Sequence, residues 1–241
     1  MIHSTRGIVL NHIKYAESSI VVHIYTEIFG RQSYLVNSVR SSRNKGKSIL
    51  LQPLTLLEMQ VYHNQKKSLQ RIKEFRISTP IMNIPFNQVK RSIAFFITEM
   101  MNRSLQEEMA NPELYSFVEQ AIMDLDITNN GHYFHLLFLA ALTRYLGFFP
   151  DLSGYGDKDY FDLQQGILTD LEPFHSNFLK GDLMKEWIGI FEKCGDSLTL
   201  HQCKAEYRND LIDAIIDYYR LHLHDFGKLK SLDVLRSLFH E

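Results

Sequence analysis

The chain has 241 residues, with 26 Lys+Arg against 28 Asp+Glu and a formal net charge of −2. Hydrophobic residues make up 45% and charged residues 22%, a globular composition that excludes a disordered chain and fits one large or two small domains. Taken whole, the charge argues against a polyanionic ligand; located along the chain, it argues the reverse. Residues 1–79 carry 12 Lys+Arg and 4 Asp+Glu, a balance of +8, whereas residues 80–241 carry 14 and 24, a balance of −10. The division falls at the extended, proline-marked stretch Ser78-Thr79-Pro80-Ile81-Met82-Asn83-Ile84-Pro85. A basic module (1–79) is thus joined to an acidic one (80–241), and the basic part calls for an anionic partner.

In chain order, the first 79 residues read as strands. Ile8-Val9-Leu10 and Ile20 to Thr26 are β-branched and aromatic-rich, with a polar turn over 14–18 between them. Phe29-Gly30-Arg31 reads as a hairpin connection into Gln32 to Val36, and Arg40 to Lys47 as a basic loop. A fourth strand region is expected over 49–62, with an edge or bulge at Pro53, and a fifth over 69–77. Five short strands in about 80 residues suit a closed barrel of OB type, in which closure hides the strand edges.

From Pro85 onward the period becomes helical. Val89, Ile93, Phe96, Ile97 and Met100 follow 3–4 spacing. Asn111-Pro112-Glu113 is a helix start, with a capping residue, proline at the first helical position and then an acid. An apolar helix is expected over 132–145, ended by Gly147 and Pro150, and a loop over 151–172. Further helices are expected over 178–191, 208–226 and 232–239. The apolar run Tyr133 to Leu142 spans 10 residues, half the roughly 20 that a membrane span needs. The N-terminus shows no signal-peptide core, and two cysteines, Cys194 and Cys203, cannot build a disulfide framework; both fit a cytoplasmic setting. The expected architecture is α+β: an N-terminal OB-fold β-barrel followed by an α-helical domain.

The chemistry candidates are unequal. Arg6, Arg31, Arg40, Arg43, Lys45, Lys47, Lys66, Lys67, Arg71, Lys73 and Arg76 lie in the same module as Tyr15, Tyr25, Tyr34 and Tyr62. On an OB barrel, cations track phosphates and aromatic rings stack on bases. The expected nucleic-acid-binding set is those cations without Arg76, with Tyr34 as the stacking ring. Asp151, Asp157, Asp159 and Asp162 match no metal-loop spacing, and no base accompanies them as a nuclease would need. Cys194, His201 and Cys203 offer three ligands spaced C-x₈-C, short of the four that a structural zinc needs. Lys45-Gly46-Lys47-Ser48 lacks the first glycine of a P-loop, because position 41 is Ser41. No catalytic, metal or cofactor site is expected. The alternative to DNA binding is an OB-fold RNA-binding or translation-associated protein.

Several segments repeat a known order: Thr5-Arg6-Gly7-Ile8-Val9-Leu10, Tyr15-Ala16-Glu17-Ser18, Phe29-Gly30, Leu51-Gln52-Pro53-Leu54 and Leu69 to Glu74 in the barrel half. Tyr145-Leu146-Gly147-Phe148-Phe149-Pro150-Asp151, Tyr160-Phe161-Asp162 with Gly166, Tyr218 to Leu223 and Lys228 to Leu232 follow in the helical half. Together they resemble the bacterial recombination mediator family RecO over almost the whole chain. The resemblance implies a non-enzymatic repair protein that binds single- and double-stranded DNA, anneals complementary strands, and acts with RecR to load RecA onto DNA coated by the single-stranded-DNA-binding protein SSB. It also places the contact with the SSB C-terminal tail in the helical domain, where Arg144, Lys228 and Lys230 are the candidate cations. Many members of that family carry four zinc-binding cysteines after the segment matching Gly147 to Asp151. Residues 151–172 hold no cysteine, so Tyr155, Tyr160, Phe161 and Leu163 are expected to pack where the metal would sit.

Overall fold

The structure, a computed structural model, describes residues 1–17, 19–37, 50–105, 109–129, 131–195, 198 and 203–238. The chain divides into two compact units, 1–127 and 128–241.

In the first unit, β1 (Ile2–Lys14), β2 (Ile20–Thr26), β3 (Gly30–Val36), β4 (Leu56–Tyr62) and β5 (Leu69–Ile77) close into a barrel in the order β1-β2-β3-β5-β4. All neighbours are antiparallel except β3 and β5, which run parallel. This is the five-stranded barrel of OB type that the sequence leads one to expect. Closure is possible because β1 is long and serves two neighbours. Its first half pairs with β4 from Ile2↔Tyr62 to Ile8↔Leu56, and its second half pairs with β2 up to Lys14↔Ile20. A register shift between Val9 and Asn11 bends it from one to the other. Gly7 lies where both pairings overlap, and a Cβ there would stand 2.5 Å from Met59 Cε and 2.6 Å from Ile24 Cγ2. The barrel interior is filled by Val9, Val22, Ile24, Leu57, Met59 and Val61, with Tyr34 among them. The fourth strand is shorter than expected. Leu51 and Leu54 are buried, but in a turn in which Leu54 takes a positive φ of 62°, so that apolar run reflects burial and not extension.

Two helices belong to the same unit, α1 (Gln88–Ser104) and α2 (Pro112–Ile127). The Asn87 side chain accepts from the Lys90 N–H, and Asn111 Oδ1 accepts from the Leu114 N–H at 2.9 Å, so both helices start on side-chain caps. The proline-marked stretch before α1 is tied down by Asp126, in the last turn of α2. Its carboxylate accepts the N–H groups of Met82, Asn83 and Ile84 at 3.0, 2.7 and 2.7 Å. Its carbonyl takes the buried Lys90 ammonium at 2.6 Å. Burial alone would raise the Asp126 pKa; the three N–H bonds and Lys90 overcome it and hold the carboxyl below its usual value.

The second unit is built on α3 (Phe134–Leu146), buried from Phe134 to Thr143 and ended by Gly147 in the left-handed region (φ 82°). Around it lie α4 (Gly181–Lys193), α5 (Arg208–His222) and the short α6 (Ser231–Ser237). The expected loop over 151–172 and the expected helix start at 178 are both corrected. Residues Tyr160–Asp162, Ile167–Thr169 and Phe178–Lys180 form β6, β7 and β8 of an antiparallel sheet ordered β7-β6-β8. Strands of three residues are too short to show a period of two, which is why sequence reading misses them. Phe161 is fully buried on Trp187, with ring centroids 4.3 Å apart, and Leu163 is buried beside it in the chain; Tyr155 remains 44% exposed. The Tyr218 hydroxyl donates to the Phe148 carbonyl and the Tyr219 hydroxyl to that of Leu139, both at 2.8 Å. Among the described residues, no three His, Cys, Asp or Glu are grouped as metal ligands, and no helix is long and apolar enough to cross a membrane.

Candidate nucleic-acid interface

The expected cations separate into three groups. Arg6, on β1, is committed to structure. Its Nε and Nη2 hold the Glu27 carboxylate at 3.0 and 2.8 Å, its Nη1 holds Glu119 of α2 at 2.7 Å, and the guanidinium lies 5.0 Å over the Tyr115 ring. The bonds to Glu27 raise the pKa of Arg6 against the effect of burial, and Glu119 adds to the rise; Arg6 in turn lowers that of Glu27. Tyr115 also stacks on Tyr25 at 6.2 Å, so this cluster pins α2 to the outer wall of the barrel. Arg31 reaches α1 in the same way, its Nη2 donating to Asn102 Oδ1 at 3.0 Å. Beside it, His23 Nδ1 lies 2.9 Å from Ser33 Oγ; burial, and then Arg31, depress the His23 pKa, so this imidazole adds no positive charge at neutral pH. Arg76 pairs with Glu58 across the β4–β5 ladder.

The second group stays open. Lys66, Lys67, Arg71 and Lys73 are exposed, and among the described residues none makes an ion pair. Lys66 and Lys67 sit on the β4–β5 turn, which the buried Gln70 side chain holds by accepting from the Asn64 N–H at 2.9 Å and donating to the Asn64 and Lys67 carbonyls. Arg71 and Lys73 project from β5, and Lys73 Nζ donates to Gln60 Oε1 at 3.1 Å. The third group, Arg40, Arg43, Lys45 and Lys47, lies outside the described residues.

Tyr34 is corrected. It is fully buried in the barrel core, and burial pushes its phenol pKa up, so its ring offers no face to a base. Tyr25 is buried as well; Tyr15 and Tyr62 are the exposed tyrosines of the barrel, at 62% and 46%. Tyr62 stands opposite Arg71 on β5 and opposite Ile2 on β1, so all three share the outer face. Farther along that face runs a groove of about 710 Å³, bordered by Arg6 and Arg76 but also by Glu27, Glu58 and Glu74. Three carboxylates outnumber two guanidinium groups there, so a phosphate gains nothing. Among the described residues of the expected set, the exposed cations without an ion pair are therefore those of the β4–β5 turn and the start of β5.

In the second unit, the Arg144 guanidinium lies 3.8 Å over the Phe149 ring at the end of α3, while Lys228 and Lys230 are exposed on the segment entering α6. Cys194 and Cys203 are buried thiols outside any disulfide, with Cys194 Sγ donating to the Phe191 carbonyl at 3.1 Å; His201 lies outside the described residues.

Sequence comparison fits this layout. The family models described as Recombination protein O N terminal and Recombination protein O C terminal match residues 1–81 and 88–155. A DNA repair protein RecO of Bacteroides fragilis is 38% identical over 241 residues, covering 99% of this chain and 100% of its own. Those of Phocaeicola vulgatus and Flavobacterium psychrophilum are 36% and 35% identical over 240 residues each; the first covers 99% of this chain and all of its own, the second 98% of each. With both halves matched in order and the full length aligned, this chain belongs to the RecO family.

Proposed function

We propose that this protein binds single- and double-stranded DNA through its barrel, anneals complementary strands, and with RecR helps load RecA onto SSB-coated single strands during recombinational repair. The observation that carries the reading is the segregation of cations: the barrel's arginines facing α1 and α2 are tied to partners, whereas Lys66, Lys67, Arg71 and Lys73 form an open cationic face. Annealing needs no bond chemistry and no cofactor; it needs phosphate repulsion neutralised while bases stay free to pair. Surface lysines and arginines do this, and the protein acts as a mediator in the cytoplasm, at the nucleoid, and not as an enzyme. In functional terms residues 1–79 are the DNA-binding domain and 80–241 the helical domain. The latter serves as the platform for protein partners, with Arg144, Lys228 and Lys230 taking the acidic SSB tail. Replacing Arg40, Arg43, Lys45 and Lys47 together by Glu is expected to weaken DNA binding and annealing while leaving the melting temperature unchanged. Unchanged affinity at about 50–200 mM salt would remove residues 40–47 from the interface.

A further inference from the structure

The outer face of the barrel at Tyr62 has the composition of a single-strand track. Tyr62 is 46% exposed, and among the described residues no aromatic or cationic side chain covers its ring. Its cross-strand neighbours are Ile2 on one side and Arg71 on the other, so an apolar side chain and a guanidinium flank the phenol on one surface. Arg71 is in register with Leu35 of β3 as well, which carries the same face to a fourth strand. Lys66 and Lys67 follow within five residues of Tyr62, on the turn that Gln70 holds from beneath. The turn is thus fixed in backbone while its two ammonium groups point to solvent.

From this arrangement we infer that Tyr62 is a base-stacking residue, and that the Tyr62–Arg71 face with the Lys66-Lys67 turn selects unpaired strands. The inference rests on the DNA-binding reading above and deepens it. A base in a duplex is stacked on its own neighbours and cannot lie on a protein ring without being unstacked, whereas every unpaired base offers a π-face. Phosphate contacts from Lys66, Lys67, Arg71 and Lys73 serve single strand and duplex alike, so the tyrosine alone discriminates between them.

The test uses the full chain and fluorescence anisotropy with two probes, a labelled oligothymidylate and a blunt duplex of equal length. Tyr62→Ala is expected to weaken oligothymidylate binding about fivefold or more while changing duplex binding less than about twofold, and Tyr62→Phe is expected to retain both. The double variant Lys66→Ala, Lys67→Ala is expected to weaken both probes and to reduce the salt slope on the single strand by about 1.4, or roughly 0.7 for each phosphate no longer neutralised. If Tyr62→Ala leaves the oligothymidylate unaffected, or lowers both probes equally, while the lysine variant lowers both, the stacking role is overturned and DNA binding by this face stands. If the lysine variant changes neither probe, DNA binding by this face is itself overturned.

Discussion

Arg6 joins two carboxylates, Glu27 and Glu119, beneath the same guanidinium that covers Tyr115. Arg6→Ala is therefore expected to cost about 1–2 kcal/mol, since it leaves both acids facing Tyr115 without their cation, yet to change DNA affinity less than about twofold. Urea denaturation and anisotropy check the two halves of that statement; a large loss of affinity at unchanged stability would return Arg6 to the interface. Asp126 is a second case. Its lowered pKa means that the stabilisation is complete above the unfolded carboxylate value near 3.9 and is lost as pH falls through the folded value. Asp126→Asn is expected to cost about 1–3 kcal/mol at pH 7, and the gap to wild type is expected to close below about pH 4. A gap independent of pH would show that the carboxylate charge is not what holds residues 82–84. How much of this is legible beforehand differs from residue to residue. Within one strand, side chains an odd number of residues apart face opposite sides. Arg31 and Tyr34 are three apart on β3, so a solvent-facing Arg31 already places Tyr34 inside. Arg71 and Lys73, two apart, share the open side. Nothing comparable betrays Arg6, because its partners lie 21 and 113 residues away.

Legibility at the scale of elements follows length and periodicity. Ile20–Thr26 emerges with the bounds the sequence gives it because it is an unbroken β-branched and aromatic run, Pro112 opens its helix on a cap signal, and Leu69–Ile77 keeps its bounds although it alternates less cleanly. The β6–β7–β8 sheet carries neither. It is specified by tertiary contacts: Phe161 against Trp187, Asp162 Oδ1 accepting the Gln164 and Gln165 N–H groups, and His175 Nε2 at 3.3 Å from Asp162 Oδ2. The Asn177 N–H donates to His175 Nδ1 at 3.2 Å, which makes Nε2, the nitrogen facing Asp162, the one that carries the proton. This sheet spans the cysteine-free segment 151–172 and beyond, and its buried core is aromatic, with Phe161 packed on Trp187. Trp187 is the single tryptophan of the chain, so its emission reports on the docking of the sheet. Phe161→Ala is expected to cost about 3–5 kcal/mol and to shift that emission to longer wavelength. Chelator is expected to change neither the melting temperature nor the emission of the wild type; one equivalent of zinc in the purified protein would overturn this account.

At the scale of the molecule, the boundary set by charge and the boundary set by compactness do not coincide. Charge changes sign at residue 79, but α2 is held on the barrel through Arg6 and the Tyr25–Tyr115 stack, α1 through Arg31, and Asp126 ties α2 to the connecting residues 82–84. The unit ending at 127 therefore keeps a positive balance, 15 Lys+Arg against 11 Asp+Glu, while the remaining 114 residues hold 11 against 17. A fragment cut at 79 would expose the wall on which Tyr115 packs and strip Arg6 of Glu119. A fragment cut at 127 keeps these contacts and is expected to unfold cooperatively in urea where the shorter one does not. The longer fragment also tests what the acidic unit does to DNA binding. If that unit only repels phosphate, its removal raises affinity at low salt, and the gain fades as the Debye length shrinks below about 10 Å, above roughly 0.1 M salt. If it contributes phosphate contacts of its own, through Arg144, Lys228 or Lys230, affinity falls on removal and the salt slope becomes shallower. The open cations of the barrel all lie before residue 79, and the second unit carries an excess of six acids, so the expected result is the first: tighter binding by the fragment at low salt, converging with the full chain as salt rises.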